Sequence, residues 1–121
     1  NILFLGHVDY HKCLPDLYAC SDYYIMTSKY EGFPLTLLEA MASGLPCIVS
    51  DIPNLNIVRD ADCGIIVDFD NLSAASEKIY NYLKIDNHSH GVNARSYVVN
   101  SLDWGVISRL YLRAIEEVSA N

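Results

Sequence analysis

The sequence predicts an α/β domain, doubly wound, with about four parallel strands covered on both faces by helices. Short, nearly continuous apolar runs alternate with segments of helical periodicity from one end to the other. That is the pattern of strands buried on both faces and joined by helical crossovers. The length, 121 residues, suits one domain at roughly 100–200 residues per domain. Hydrophobic side chains make up 51% of the chain, and a chain of this size removes about two-thirds of its unfolded surface from water on folding.

Each element has its own local reason. Ile2-Leu3-Phe4-Leu5 reads as a first strand closed by Gly6. Residues 11–20 place Leu14, Leu17 and Tyr18 at helical spacing, with Pro15 in the first turn, where a missing N–H is tolerated. Residues 23–26 form a second strand. Residues 35–43 are helical and stop at Gly44, the usual punctuation of a helix end. Residues 47–50 and 64–67 supply the third and fourth strands, with a short helical turn over 54–59 between them. Leu72, Ala75, Ile79, Tyr82 and Leu83 mark one further helix face, and Trp104, Ile107, Tyr111, Ile115 and Val118 mark the last. Residues 85–91 are polar and read as a surface loop, which makes His88 and His90 loop residues rather than metal ligands. No metal site and no cofactor are expected. About four strands is fewer than the five or six such sheets usually carry. With Asn1 leading directly into an apolar run, the shortfall points to a piece of a longer protein.

Composition excludes several classes of function. Fifteen acidic against eight basic side chains leave a net charge of −7, so nucleic acid is not the expected partner. Six glycines, four prolines and 19% charged residues do not fit a disordered chain. No apolar run approaches the roughly 20 residues that span a bilayer, and no targeting segment is visible. Cys13, Cys20, Cys47 and Cys63 form no C-x-x-C pair and no zinc spacing. All four are expected as buried, reduced thiols of a cytoplasmic protein.

The chemistry is concentrated between Tyr30 and Pro46, just past the carboxyl end of the second strand, where open α/β sheets bind ligands. Pro34 suits the first helical position. Phe33 before it has no side-chain oxygen to cap the helix, so the amides of Leu35, Thr36 and Leu37 are expected to be free for an external acceptor. The helix dipole favours an anion there, phosphate above all. Glu39 lies three and four residues after Thr36 and Leu35 and shares their face. Its side chain leans back toward the same helix end. Glu31 approaches from the preceding loop. Carboxylates beside a phosphate make chemical sense as acceptors for sugar hydroxyls, so a pyrophosphate with a sugar at either end would satisfy the arrangement. Singly, each glutamate reads as a solvated or structural residue; the combination is what points to function.

Glu31-Gly32-Phe33-Pro34-Leu35-Thr36-Leu37-Leu38-Glu39-Ala40-Met41-Ala42-Ser43-Gly44-Leu45-Pro46 resembles the signature of group 1 glycosyltransferases. These are the retaining, nucleotide-sugar-dependent transferases of family 4 with the two-domain GT-B fold. Leu5-Gly6-His7-Val8 and Leu17-Tyr18-Ala19-Cys20-Ser21-Asp22 are similar to the family's preceding strand and helix. Ile48-Val49-Ser50-Asp51 and Asp62-Cys63-Gly64-Ile65-Ile66-Val67 are similar to its later strands. Leu102-Asp103-Trp104 resembles the start of its terminal helix, so the resemblance covers essentially the whole chain.

The resemblance implies a Rossmann-like domain, an incomplete C-terminal half of a GT-B fold, with residues 1–121 forming part of the nucleotide-sugar-binding domain. Glu39 would hold the ribose hydroxyls. Glu31, as the catalytic carboxylate, would contact the transferred sugar or the leaving pyrophosphate. The amides of Gly32 and Phe33 would sit near the sugar, those of Leu35 and Thr36 on the terminal phosphate. The loop at Val8 and Lys12 would cradle the base. The implied partners are a UDP-, GDP- or ADP-sugar, a glycan, lipid or small-molecule acceptor, and an N-terminal domain. The implied location is cytoplasmic, with peripheral attachment at the inner membrane face open to the full-length protein. Two alternatives are a GT-B-fold sugar-nucleotide epimerase and a non-catalytic nucleotide-sugar-binding module. The family's Arg and Lys on an earlier β-α element have no counterpart here. Asn56 stands where many members carry a Glu after a glycine pair, and Pro53-Asn54 replaces the glycines. Of the nine tyrosines, Tyr30 alone is expected to border the site.

Overall fold

Strand β2 (Cys47–Ser50) is buried along its whole length and lies at the centre of a three-stranded parallel sheet. It pairs on one side with β1 (Tyr24–Met26) and on the other with β3 (Gly64–Val67). The register sets Met26 beside Val49, and Ser50 beside Val67. Because side chains alternate across a strand, Cys47 and Val49 enter one core and Ile48 the other. The first core takes Leu37 and Met41 from α2 (Leu35–Ala42), Val58 from α3 (Ile57–Asp60) and Ala94 from α5 (His88–Ser101). The second takes Ala75 and Tyr82 from α4 (Leu72–Tyr82). Helices therefore cover both faces, as the apolar runs require. The computed structural model describes residues 1–119, including α1 (Leu14–Ala19) and α6 (Trp104–Ser119). No helix among the described residues is long and apolar enough to cross a membrane.

Three sequence expectations are corrected. The sheet has three strands, because residues 2–5 pair with no ladder. They are extended and exposed, with Phe4 at 90%. Apolar composition gives a strand its propensity, but a strand exists only through its partner's hydrogen bonds. Second, the loop expected at 85–91 gives way at His88 to the fourteen-residue helix α5. Its buried positions within the helix are Gly91 and Ala94, too small to create a hydrophobic period. Third, Cys47 and Cys63 are buried, whereas Cys13 and Cys20 are exposed, since they flank α1, a short helix with no buried residue.

Helix α5 is held to α2 by backbone contact. Gly44, at φ +80, ends α2 in a left-handed turn in which its amide donates to the Met41 carbonyl (2.9 Å) and Leu45 donates to Ala40 (3.1 Å). This paired pattern satisfies the last carbonyls of the helix. Arg95 of α5 donates to the Ala42 carbonyl as well (2.6 Å). A Cβ on Gly91 would clash with the Gly44 carbonyl oxygen, so only glycine permits the approach. Gly91→Ala should therefore push α5 off α2 and cost about 1–3 kcal/mol. Urea unfolding checks this, and an unchanged midpoint would mean that the two backbones do not meet.

Candidate functional site

The start of α2 faces solvent at the carboxyl end of β1. Pro34 is buried and occupies the cap position, one residue earlier than its spacing suggests, with φ −82 and ψ 77. No side chain caps this end. The amides partly satisfy themselves: Leu35 donates to the Phe33 carbonyl (3.0 Å), while Leu37 and Leu38 both donate to Pro34 (3.1 and 3.2 Å). Of the three amides expected to be free, Thr36 alone remains so, because the turn at Pro34 consumes the other two. The amides of Gly32 and Phe33 also make no hydrogen bond among the described residues. Three N–H groups are thus available around one helix end, where the dipole adds to their attraction for an anion.

Tyrosines frame the two carboxylates. The Tyr18 hydroxyl donates between Glu39 Oε2 (3.2 Å) and the Thr36 carbonyl (3.3 Å). The Tyr24 hydroxyl donates to Thr36 Oγ1 (2.8 Å). Tyr10 reaches Glu39 from a turn whose geometry Asp9 fixes, its carboxylate accepting the amides of His11 (3.0 Å) and Lys12 (2.8 Å). Burial first, then the Glu39 charge, pushes the Tyr18 hydroxyl well above the ordinary tyrosine range. Tyr10 is raised chiefly by the neighbouring Glu39 carboxylate. Tyr24 is raised by burial, against the lowering effect of its bond to Thr36, and both Glu31 and Glu39 add to the rise. Each effect has one cause: a phenolate beside a carboxylate, or away from water, is disfavoured.

Tyr10, His11, Leu14, Tyr18 and Glu39 line a cavity of about 290 Å³. Val8 instead lines a separate space with Leu5, His7 and Cys13, and Lys12 is exposed without joining Glu39. Tyr10 and His11, on the same loop, are the residues that share the Glu39 cavity. Tyr30 is exposed beside Glu31, while Tyr10, Tyr18 and Tyr24 gather around Glu39 and Thr36. Their role runs through hydroxyl contacts between segments distant in the chain, which spacing does not reveal. His88 starts α5, and His90 within it meets the Tyr82 hydroxyl through Nδ1 at 2.8 Å.

Glu31 is held differently. Ser28 donates to its Oε1 (2.6 Å), and Asn54, from the turn after β2, donates to the Glu31 and Gly32 carbonyls. Asn56 turns the chain into α3, its carbonyl accepting the amides of Arg59 and Asp60. A cavity of about 590 Å³ lies at the amino end of the sheet among Tyr23, Pro46 and Asn87. The free amides and both carboxylates lie at the other end, where open parallel sheets bind ligands, and chemistry outweighs volume in choosing between them.

The sequence pattern of the family described as glycosyl transferases group 1 matches residues 1–98. The chain belongs to this family. Among relatives of this chain, the O-antigen chain mannosyltransferase B of Escherichia coli is 37% identical over 78% of this chain and 24% of its own. The phosphatidyl-myo-inositol mannosyltransferase of Mycolicibacterium smegmatis is 30% identical over 98% of this chain and 31% of its own. The chain therefore spans less than a third of either relative. The crystal structure of WaaG, a glycosyltransferase involved in lipopolysaccharide biosynthesis, superimposes with a TM-score of 0.64 at 24% identity. That match covers 73% of this chain and 25% of WaaG, and it shows a shared fold.

The electrostatic coupling predicts a titration result. In Glu39→Gln the hydroxyls of Tyr10 and Tyr18 should titrate at lower pH than in the wild type, because a neutral amide no longer repels the phenolate. Tyr18 should fall only part of the way, since burial is its larger cause. Tyrosine-selective ¹³C NMR across alkaline pH measures both, and unmoved curves would separate the tyrosines from Glu39.

Proposed function

We propose that this chain forms part of the donor-binding domain of a retaining glycosyltransferase that moves a sugar from a nucleoside diphosphate to an acceptor. One observation carries the reading: the unpartnered amides of Gly32, Phe33 and Thr36 lie between Glu31 and Glu39 at the carboxyl end of β1. When the bond between sugar and phosphate breaks, negative charge builds on the leaving diphosphate. Fixed N–H groups aimed at that charge lower the barrier, since they need no reorganisation as it develops. Glu39, held by the Tyr18 hydroxyl, accepts from the ribose. Glu31, held by Ser28, accepts from the transferred sugar nearer the breaking bond. The donor is a UDP-, GDP- or ADP-sugar and the acceptor a glycan, lipid or small molecule, met at the cytoplasmic side through an N-terminal domain. The relatives' names, with their mannosyl transfer, support this class. The chain by itself should fold without catalysing transfer.

Two measurements test the assignment. Phosphate titrated against the ¹⁵N-labelled protein should move the amides of Thr36, Gly32 and Phe33 first and leave Leu35 and Leu37, already bonded, little changed. Largest shifts in α5 would refute it. In the full-length enzyme, Glu39→Gln should mainly raise the donor KM, because ribose hydroxyls change little during transfer. Glu31→Gln should lower kcat more than it changes KM. Losing a charge-assisted hydrogen bond costs about 1.5–3 kcal/mol, roughly 10- to 150-fold. Wild-type kinetics in both variants would return the glutamates to a structural role.

A further inference from the structure

We propose that Asn54 is a positioning residue for the reacting end of the donor, an inference that rests on the donor-binding reading above. Its side-chain Nδ2 donates to the carbonyl of Glu31 at 2.5 Å and to that of Gly32 at 2.9 Å. Both partners are carbonyl oxygens, so the nitrogen must face them. A planar trans peptide points its C=O and N–H in opposite directions, and there is no cis bond among the described residues. Drawing the Glu31 carbonyl toward Asn54 therefore turns the Gly32 N–H away from it. The Gly32 carbonyl does the same for the Phe33 N–H. One primary amide thus fixes two successive peptide planes and leaves two neighbouring N–H groups on the far side, unpartnered. Successive amides presented this way offer an anion two donors from one side of the chain. A Cβ on Gly32 would meet nothing within 4 Å, so the space beside that peptide is open to a ligand.

The arrangement depends on the sheet. Asn54 and Glu31 are 23 residues apart in sequence, and they meet because β1 and β2 are adjacent and parallel, which sets the loops after their carboxyl ends side by side. Asn54 carries no charge, so removing it alters geometry while leaving the field of the site unchanged. It is exposed and belongs to neither core, so its substitution leaves the packing intact. An aspartate would keep the shape but set oxygens against the two carbonyl oxygens.

The test uses the full-length enzyme, with hydrolysis of a panel of UDP-, GDP- and ADP-hexoses as the assay. Asn54→Ala and Asn54→Asp should each lower kcat by roughly 10- to 100-fold, the scale of misplacing a reacting group by about 1 Å. The donor KM should move far less, because Glu39 and Thr36 still hold the nucleotide. Wild-type kcat in Asn54→Ala, or in Asn54→Asp, would overturn the proposal. So would a rise in KM as large as the fall in kcat, which would make Asn54 a general binding contact. A wild-type enzyme that bound and hydrolysed none of the panel would instead overturn the donor-binding reading itself.

Discussion

The central strand is the constraint on which the site depends. Cys47–Ser50 is bonded on both edges and packed on both faces, so it cannot slip without turning every side chain to the wrong core. A parallel arrangement then brings the carboxyl ends of all three strands to one side. The loops after β1 and β2 lie next to each other there, one carrying Ser28, Glu31 and the start of α2, the other Asn54. Nothing in either loop is buried enough to fix its own shape except Pro34 and Leu55. Their order comes from the sheet beneath and from hydrogen bonds between them.

The two glutamates sit in different settings although they flank one helix end. Glu39 lies among Tyr10, Tyr18 and Thr36, in an aromatic recess with an apolar wall at Leu14. The recess sets a carboxylate acceptor beside two tyrosine rings. Glu31 is tied by Ser28 at the rim of a second cavity lined by Thr27, Ser28, Ser50, Asp51 and Asp68. Ile52 and Phe69 also line it, so hydroxyls and carboxylates there alternate with apolar surface. The one cation on that rim, Lys29, is paired with Asp70 at 3.4 Å, and both are exposed, so the pair adds little to stability.

Much of the scaffold was legible because strand and helix leave different periods. Tyr24–Met26, Leu35–Ala42, Cys47–Ser50 and Gly64–Val67 each fall within a residue of the limits that apolar runs and Gly or Pro punctuation indicate. Residues 2–5 misled because composition cannot tell whether a ladder partner is present. Helix α5 was invisible for the opposite reason: it packs through Gly91 and Ala94, and a glycine contact between backbones leaves no hydrophobic stripe. The site divided in the same way. Glu31, Glu39 and Thr36 were readable because their spacing is local to one loop and one helix. Tyr10, Tyr18, Tyr24 and Asn54 were not, because each acts across a gap that only the tertiary structure closes.

The two kinds of residue also differ in how they tolerate change. Backbone N–H groups carry no side chain to lose, so no single substitution can delete the anion-binding donors at Gly32, Phe33 or Thr36 except proline, which lacks the N–H. What substitution can do is move them. The groups that hold them are few and of different kinds: the buried Pro34 ring at the helix start, Tyr24 on the Thr36 hydroxyl, and Asn54 on two carbonyls. A donor aimed at a developing charge is effective only within narrow limits of distance. Sensitivity at this end of the sheet therefore belongs to residues that touch the backbone, Pro34 and Asn54 above all.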